Sequence, residues 1–192
     1  MSSPRSVCFS CHEPVNAPSC VGCGVLQPPP AAPDPFVMFG LPHRFHLDLA
    51  DVDGRYRALA RQTHPDRFTT RSAVERRMAL MWTAALNESK RVLKDDKLRA
   101  RWLATGRAQP AEQGGPTLDP AFLAEIFDWR ERDEDEPGVM HELATAARTS
   151  LLGELDQVFT AWEAGNGTLE VVEDRLARLK YVEGLLRAPQ EV

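Results

Sequence analysis

The sequence predicts an all-α protein with a small metal-binding segment at its start. Three observations support this fold class in the chain of 192 residues. Between residues 48 and 187, apolar residues recur at helical spacing behind helix-capping residues. No stretch shows the convincing alternation of apolar and polar residues that marks a half-buried strand. The 4 cysteines all lie within the first 23 residues.

The cysteines form two CxxC pairs, Cys8 with Cys11 and Cys20 with Cys23. Each CxxC turn brings two sulfurs within reach of one ion, and two such turns complete a tetrahedron of thiolates. We therefore predict a Zn²⁺ site. Because four protein ligands leave no open position, its role is structural rather than catalytic. Segment 1–27 is too short for a core of its own, so metal binding would hold it together.

Two alternatives to zinc exist for these cysteines. A pair of disulfides requires an oxidising compartment, and a thioredoxin-like redox motif requires a βαβ context that the sequence lacks. His12 follows Cys11 and is interpreted as a bystander, because four cysteines already complete the ligand set. Gly22 and Gly24 are expected to form the tight turn of the second pair, since glycine tolerates positive φ.

The middle of the chain predicts a proline-rich linker and then a helix. Residues 28–35 are expected to be extended and to separate the cysteine segment from the helices. The stretch FVMFGLP then fits a short segment that leads into the first long helix. A helix is predicted over residues 48–63, with Asp48 as its N-cap, and Pro65 ends it. Its apolar residues at helical spacing are Leu49, Val52, Tyr56 and Leu59.

A second long helix is predicted over residues 72–93, where Ser72 and Glu75 make a capping box. A third, shorter helix follows in the stretch DDKLRARWLA. Residues 108–117, rich in glycine and proline, are predicted to be a linker. The apolar stripe assigned to the second helix is Val74, Met78, Met81, Ala85 and Val92.

Residues 118–192 predict three further helices. Asp119 caps the first with Pro120 at its first position, Pro137 opens the second, and Thr168 caps the third. The predicted core residues are Leu118, Phe122, Ile126 and Trp129 in the first helix, Met140, Leu143, Ala147, Leu151, Leu155, Val158 and Trp162 in the second, and Val172, Leu176, Leu179 and Leu186 in the third.

The formal net charge of −5 conceals a division along the chain. Residues 51–107 hold 14 basic and 7 acidic residues, whereas residues 108–192 hold 7 basic and 18 acidic residues. This asymmetry predicts two domains with different partners, unless the charges only solvate helix surfaces. No apolar run approaches the roughly 20 residues that span a bilayer, and no secretory signal is evident. A cytoplasmic location is expected; the mitochondrial matrix, for a eukaryotic source, is not favoured.

A His-Pro-Asp tripeptide at residues 64–66 lies between the two basic helices. In this setting residues 36–107 resemble a J-domain, the co-chaperone module of 70-kDa heat-shock chaperones. The stretches FGLPHRFHLD and HPDRF, with an acidic helical tail, resemble more specifically the HscB-type co-chaperones of iron–sulfur cluster assembly, over roughly residues 36–187. The cysteine pairs resemble a zinc-binding extension of some members. The implied architecture is a J-domain hairpin at 36–107 and a three-helix bundle at 118–192.

The resemblance implies that the chain stimulates ATP hydrolysis by a 70-kDa heat-shock-type chaperone, of the HscA or DnaK type, and is not itself an enzyme. Pro65 would stiffen the turn, and the Asp66 carboxylate would pair with an arginine of the partner. A positive face would steer the turn toward an acidic chaperone surface. The candidate chaperone-binding residues are His64, Pro65, Asp66, Arg55, Arg57, Arg61 and Arg67.

The acidic helices resemble the bundle that holds the iron–sulfur scaffold protein, of the IscU type, for cluster transfer. Ala124 stands where a larger apolar residue is expected and Asp128 where glutamate is expected, so the affinity would differ accordingly. From the pattern alone, Leu123 and Phe127 could instead belong to a wide core face. The scaffold-binding residues implied by the resemblance are Leu123, Ala124, Phe127, Asp128, Glu131, Asp135 and Tyr181.

Other functions fit parts of the sequence. A generic J-domain co-chaperone with a different client would use the same tripeptide. A zinc-finger nucleic-acid-binding protein would use the cysteine pairs and the basic segment, but the cysteine region carries only Arg5 and lacks interleaved aromatic and basic residues. A zinc enzyme is disfavoured by the closed ligand set. We expect protein partners, and neither nucleic acid nor a membrane.

Overall fold

The computed structural model describes residues 6–15, 17–110 and 117–187. Regular structure in these residues is mostly helical, which confirms the predicted all-α class. A 3₁₀ turn, Pro65–Phe68, lies between the second and third helices. In order, the other elements of the described chain are β1 (Ser6–Val7), β2 (Pro14–Val15), α1 (Pro35–Phe39), α2 (Leu49–Thr63), α3 (Ala73–Lys94), α4 (Asp96–Thr105), α5 (Pro120–Asp135), α6 (Val139–Glu163) and α7 (Val172–Arg187).

These elements form two compact units. The first unit contains the chain up to His43 together with Leu47–Asp96, and the second contains Arg44–His46 together with the chain from Lys97 onwards. Most of α4 therefore belongs to the second unit, although it precedes the predicted linker in sequence. Residues 111–116 of that linker lie outside the described residues. The domain boundaries drawn from the sequence stay predictions.

The cysteine segment contains a short antiparallel strand pair. In this pair Ser6 lies opposite Val15 and Val7 opposite Pro14. The sequence-based expectation of no strand is therefore wrong here, because two-residue strands are too short to show a period of two. The buried cluster of the segment consists of Cys8, Val15 and Cys20. So small a core cannot hold the segment folded by apolar burial alone.

Helix α1 begins inside the stretch predicted as a linker. The Asp34 carboxylate caps it by accepting hydrogen bonds from the amides of Phe36 and Val37, and Pro35 is its first residue. Gly40 ends it in the left-handed region, with φ 62°. Pro29 and Pro35 are buried, so this stretch is packed within the first unit.

Helices α2 and α3 form the predicted hairpin, and their N-caps are confirmed. The Asp48 carboxylate accepts from the amide of Ala50, and Ser72 and Glu75 form both bonds of the capping box. Ion pairs also join the two helices, because the Asp53 carboxylate of α2 lies 2.9 Å from Lys90 Nζ and 2.8 Å from Lys94 Nζ of α3.

The buried face of α3 differs from the predicted stripe. Val74 and Met81 are 54% and 44% exposed, so these two members of the predicted apolar stripe are not buried. Val92 is buried, as predicted. The buried face of α3 consists of Glu75, Ala79, Trp82, Leu86, Ser89, Val92 and Leu93.

The second unit buries one continuous apolar core among α4, α5, α6 and α7. Phe122, Ile126 and Trp129 of α5 are buried as predicted. Two helix starts are corrected. Helix α6 begins at Val139 after Gly138 (φ 99°), not at Pro137.

Helix α7 begins at Val172 rather than after a Thr168 cap. The amide of Val172 donates to the carbonyl of Leu169, so a turn precedes the helix. Leu169 packs against the core, which fixes this turn in place. No helix among the described residues has the length and apolarity needed to cross a bilayer.

A short upstream segment completes the second unit. The Phe45 ring stacks on the Phe159 ring at a centroid distance of 4.2 Å, and the Phe45 backbone carbonyl accepts from Arg99 Nε at 2.7 Å. Glu163 Oε1 accepts from the amides of Phe45 and His46, at 2.6 and 3.0 Å. Residues 44–46 thus belong to the second unit, and Phe45 packs against its core. In the sequence, α1 precedes these residues, and α2 and α3 follow them.

Candidate functional site

The His-Pro-Asp tripeptide forms the junction between α2 and the 3₁₀ turn. His64 has φ −60° and ψ 131°, the extended conformation favoured before proline, and this ends α2. Its Nδ1 accepts a hydrogen bond from the Asp66 amide at 3.3 Å, so the histidine caps the 3₁₀ turn. Pro65, as the first residue of that turn, lacks an amide that would need a partner. Local sequence alone therefore accounts for the shape of the junction.

Two buried residues brace this junction from beneath. Phe68 and Thr63 are both buried, and the Thr63 hydroxyl donates to the Leu59 carbonyl at 3.0 Å. The Arg67 amide donates to the His64 carbonyl at 3.0 Å. Helical spacing and capping patterns do not predict this role for Phe68 or Thr63. The available signal was the aromatic residue of HPDRF, which is the apolar member of an otherwise polar turn.

The side chains of His64 and Asp66 point away from the core. Their side chains are 57% and 87% exposed, and His64 Nδ1 lies 3.5 Å from Asp66 Oδ2. An imidazole and a carboxylate are therefore displayed together on a braced turn. Such groups can form charge-assisted hydrogen bonds with an approaching protein, because neither is shielded by its own chain.

The four candidate arginines have two different environments. Arg57, Arg61 and Arg67 are exposed beside the turn. Arg55 instead donates from Nε to Asp51 at 2.8 Å and from Nη1 to the carbonyls of Phe39 and Gly40, both at 3.0 Å. Arg55 therefore also anchors the end of α1. An open surface groove of ≈ 440 Å³ next to the turn is lined by Tyr56, Arg57, Ala60, Arg61, His64 and Arg67.

The candidate scaffold-binding residues lie on the outer side of the second unit. Phe127 is 61% exposed, although large aromatic side chains are usually buried. Leu123 is half-buried beside it. Tyr181 of α7 is also half-buried and meets the core residue Phe122 edge-on, with ring centroids 6.2 Å apart. The exposed members of the predicted set are Ala124, Phe127, Asp128, Glu131 and Asp135.

The four cysteines converge on one point. Their sulfurs all lie within 4.8 Å of one another, and the Cys8–Cys23 and Cys11–Cys20 sulfurs are 3.6 and 3.5 Å apart. Zn–S bonds of about 2.3 Å in a tetrahedron place sulfurs about 3.8 Å apart. The four thiols therefore fit the closed ligand set of a structural metal ion, as predicted.

The two CxxC turns repeat the same backbone bonds. The Cys8 amide donates to Glu13 and its carbonyl accepts from His12, while the Cys20 amide donates to Val25 and its carbonyl accepts from Gly24. His12 and Gly24 both have positive φ, 63° and 72°.

The second CxxC turn corrects one expectation and meets another. Gly24 adopts the positive φ expected of it, but Gly22 does not, so that expectation is wrong for Gly22. Gly22 instead lies near the sulfurs, where an added Cβ would be 3.8 Å from Cys20 Sγ and 3.9 Å from Cys11 Sγ. The second turn thus places a small residue next to the ligand atoms.

The crowded thiols do not ionise alike. Burial acts to raise the pKa of Cys8, but hydrogen bonds from the amides of Cys11 and Ser10 outweigh it and lower this pKa to about 6. A backbone hydrogen bond with Glu13 acts to lower the pKa of Cys11, but partial loss of water and the three neighbouring thiols raise this pKa to about 12. Four thiolates this close repel one another, so a cation is needed for all of them to ionise.

Comparisons with known proteins give a consistent result. The models of known protein families that were searched give no match. The chain is similar to the co-chaperone protein HscB homolog of Bordetella pertussis, with 41% identity over 128 residues that cover 66% of this chain and 72% of that protein. It is also similar to the co-chaperone protein HscB homolog of Pasteurella multocida, with 34% identity over 160 residues that cover 77% of this chain and 90% of that protein.

Two solved structures share the fold. The crystal structure of human co-chaperone protein HscB matches with a TM-score of 0.74 and 23% identity, over 94% of each chain. Chaperone HscB from Vibrio cholerae matches with a TM-score of 0.59 and 28% identity, over 80% of this chain and 93% of that one. The human match bears on the fold alone, whereas the sequence relatives are similar over most of their own length.

Proposed function

This chain belongs to the HscB family of co-chaperones, and from that premise we propose that it stimulates ATP hydrolysis by a 70-kDa heat-shock-type chaperone of the HscA or DnaK type. Its second proposed partner is an iron–sulfur scaffold protein of the IscU type, which it delivers to the chaperone for cluster transfer. The chain acts by binding and catalyses no reaction itself. The observation that carries this proposal is the exposed, braced turn of His64, Pro65 and Asp66.

The chemistry of the turn supports the chaperone contact. The Asp66 carboxylate is free to accept paired hydrogen bonds from an arginine of the partner, the stronger kind of hydrogen bond. His64 Nδ1 already accepts from the Asp66 amide, so its other ring nitrogen is the one that a partner would meet. Since Pro65 and the buried Phe68 restrict the turn, little conformational freedom remains to be lost on binding.

The exposed arginines support an acidic partner. Arg57 and Arg61 lie one helical turn apart on α2, and Arg67 lies beside them on the 3₁₀ turn. Such a positive surface accelerates encounters with a negative one and orients them. Arg55 has a smaller share in this proposal, because its guanidinium is already bonded to Asp51 and to the end of α1.

The outer face of α5 supports binding of the scaffold. Phe127 is a large apolar side chain left exposed, and the acidic residues Asp128, Glu131 and Asp135 border it. An exposed aromatic residue with a charged rim is typical of protein-binding surfaces. The half-buried Leu123 and Tyr181 would extend the apolar area. Ala124 contributes less area than a larger apolar residue would.

The test of the chaperone contact is an ATPase assay with a purified 70-kDa chaperone. In the His64→Gln variant, stimulation is expected to fall to the basal rate, while affinity for the scaffold protein stays unchanged. The matched control is His141→Gln, which replaces an exposed histidine of α6 and is expected to stimulate as the native chain does. Full stimulation by His64→Gln would remove the J-domain function.

Adding the scaffold protein to the same assay separates this proposal from its alternative. A generic J-domain co-chaperone would stimulate the chaperone through the same turn but would neither bind the scaffold nor gain from its presence. A native chain that binds no scaffold protein would therefore leave only the generic function.

A cytoplasmic site of action is part of the proposal.

The proposed metal is zinc in a structural role. Cys8, Cys11, Cys20 and Cys23 would hold it, and the bound ion would fix the two CxxC turns against each other. Metal analysis of the purified chain is expected to find one zinc ion per chain, and Cys20→Ser is expected to lose it. His12→Asn should retain the ion, because asparagine tolerates positive φ and His12 is not a ligand in this scheme. Intramolecular disulfides in freshly purified protein would contradict the proposal.

A further inference from the structure

Gln27 holds the two CxxC turns together. Its backbone amide donates to the Pro18 carbonyl at 2.7 Å, and its side-chain Nε2 donates to the Val25 carbonyl at 2.9 Å. The same Nε2 lies 3.4 Å from Cys8 Sγ and donates to it. Its Oε1 accepts from the Phe9 amide at 3.1 Å. One side chain therefore links the first cysteine pair to the second and contacts a candidate metal ligand directly.

The remaining polar group of Gln27 reaches a helix of the hairpin. The backbone carbonyl of Gln27 accepts from Trp82 Nε1 at 2.7 Å, and both residues are buried, at 7% and 8% exposure. Trp82 lies on α3, which packs against α1, α2 and the 3₁₀ turn. If the backbone of residue 27 moved away, the indole N–H would be a buried donor without this acceptor, which typically costs about 1–3 kcal/mol. The cysteine segment is thus joined to the hairpin by a buried hydrogen bond.

We propose that Gln27 is a positioning residue that couples metal binding at the four cysteines to the packing of α3. In this role the metal ion stabilises the unit that carries the His64 turn, and not only the cysteine segment. The inference rests on the metal binding proposed above. It goes beyond it, because a metal site that merely holds its own segment together would leave α3 unaffected.

The physical basis is a continuous series of fixed atoms. A bound ion fixes Cys8 Sγ, which fixes the Gln27 side chain that donates to it, and the backbone of Gln27 is then held against Trp82. Groups that hydrogen-bond to metal ligands orient those ligands and tune the affinity. Coupling between two sites is reciprocal, so packing of α3 must raise the metal affinity by the factor with which the metal favours that packing.

The first test measures zinc affinity of the full chain by competition with a chromophoric chelator. Gln27→Glu removes the donor to Cys8 and brings a carboxylate next to its sulfur, so the affinity is expected to fall about 10–100-fold. Trp82→Phe touches no metal ligand, yet the affinity is expected to fall about fivefold or more. The matched control is Trp162→Phe in the second unit, which should leave the affinity unchanged.

A spectroscopic readout distinguishes positioning from general loss of structure. With Co²⁺ in place of zinc, the sulfur-to-cobalt charge-transfer band is expected to move to longer wavelength in Gln27→Glu, because a thiolate that loses a hydrogen-bond donor is easier to oxidise. An unchanged band in a variant that still binds Co²⁺ would overturn the contact between Gln27 and Cys8 as the coupling element.

The second test follows amide hydrogen exchange in the native chain with and without zinc. Zinc is expected to slow exchange in α3 and in the 3₁₀ turn, and this slowing should be lost in Trp82→Phe at saturating zinc. A native chain that binds no metal would overturn the metal proposal itself. A native chain that binds zinc, with the same α3 exchange in both states and with native affinity in Trp82→Phe, would overturn the coupling alone.

Discussion

The turn at residues 64–66 and the outer face of α5 are both exposed, but they offer a partner opposite kinds of surface. The turn displays an imidazole and a carboxylate with exposed arginines nearby. The face of α5 displays Phe127 with a border of acidic residues. In the function proposed above, the first surface would recognise its partner by charge and hydrogen bonds, whereas the second would depend on the burial of apolar area.

The supports of the two surfaces also differ. The turn is a small group of atoms whose positions are set by Pro65 and by the buried Thr63 and Phe68. The α5 face lies on the solvent-exposed side of a helix whose inner residues, Phe122 and Ile126, pack in the core. Substitutions at the turn should therefore change recognition through geometry. Substitutions on α5 should change either stability or recognition, depending on which side of the helix they fall.

The largest expected effect separates the two sides of α5. Phe122→Ala should lower the free energy of unfolding by about 3–5 kcal/mol, because it leaves a cavity in the core. Phe127→Ala should change it by less than about 0.5 kcal/mol, since its ring is exposed in the free protein. Scaffold affinity should instead fall by about 2 kcal/mol in Phe127→Ala, as for a hot spot.

Chemical denaturation and titration with the scaffold protein measure these two quantities. Each phenylalanine variant serves as the control for the other. Equal losses of stability in Phe122→Ala and Phe127→Ala would show that the outer row of α5 belongs to the core, and the contrast between charged and apolar surfaces would fail.

An intermediate effect concerns salt. Raising ionic strength from about 50 mM to about 200 mM should weaken the chaperone contact up to about tenfold, because screening acts on the exposed arginines. Scaffold binding through Phe127 should weaken less. The double change Arg57→Ala with Arg61→Ala should flatten the salt dependence of the chaperone contact, whereas Arg130→Ala on α5 should not. Equal salt dependence of the two partners would contradict the division into charged and apolar surfaces.

The smallest expected effect extends the comparison to pH. In the first unit, hydrogen bonds from Lys94 and Lys90 lower the pKa of Asp53 to about 2. Stability from this group is present above its ordinary pKa of 3.8 and is lost as the pH falls toward the folded value. In the second unit, a hydrogen bond to Asp156 raises the pKa of His46 above 6.5. Burial acts to lower this pKa, and Glu163 adds to the rise. Its contribution is complete below pH 6.5 and is lost as the pH rises through the folded pKa.

The histidine is the easier of the two groups to test. The difference in melting temperature between the native chain and His46→Gln should be larger near pH 5 than near pH 9, for an effect on the order of 0.5 kcal/mol after solvent screening. His141→Gln is the control and should show the same difference at both pH values. A His46→Gln difference that does not vary with pH would show that the imidazole acts only through its packing.

Local signals were sufficient for part of the fold. Asp48 and Ser72 cap their helices because the capping atoms lie within three residues of the amides they bind. The start of α6 was missed because its cap comes from further away: the Asp133 carboxylate at the end of α5 accepts from the amides of Gly138 and Met140. A carboxylate that crosses a turn in this way has no fixed spacing to recognise.

The candidate sites divide in the same manner. The spacing of the cysteines predicted their convergence, since two CxxC turns have one simple way to share an ion. The role of Gln27 could not be predicted, because it depends on Trp82, 55 residues away in sequence. The anchoring role of Arg55 likewise depends on the carbonyls of Phe39 and Gly40. Contacts of this kind arise from tertiary packing and leave no periodic pattern.

The interleaving of the two units has a practical consequence for dissecting the protein. Residues 44–46 belong to the second unit, where Phe45 packs against the core, and the chain returns to the first unit at Leu47. A fragment that begins at Lys97 would lack the ring that stacks on Phe159 and the two amides that Glu163 accepts from. No single cut divides this polypeptide into two intact halves. The proposed scaffold binding, measured on such a truncated piece, is expected to be weaker than that of the whole molecule.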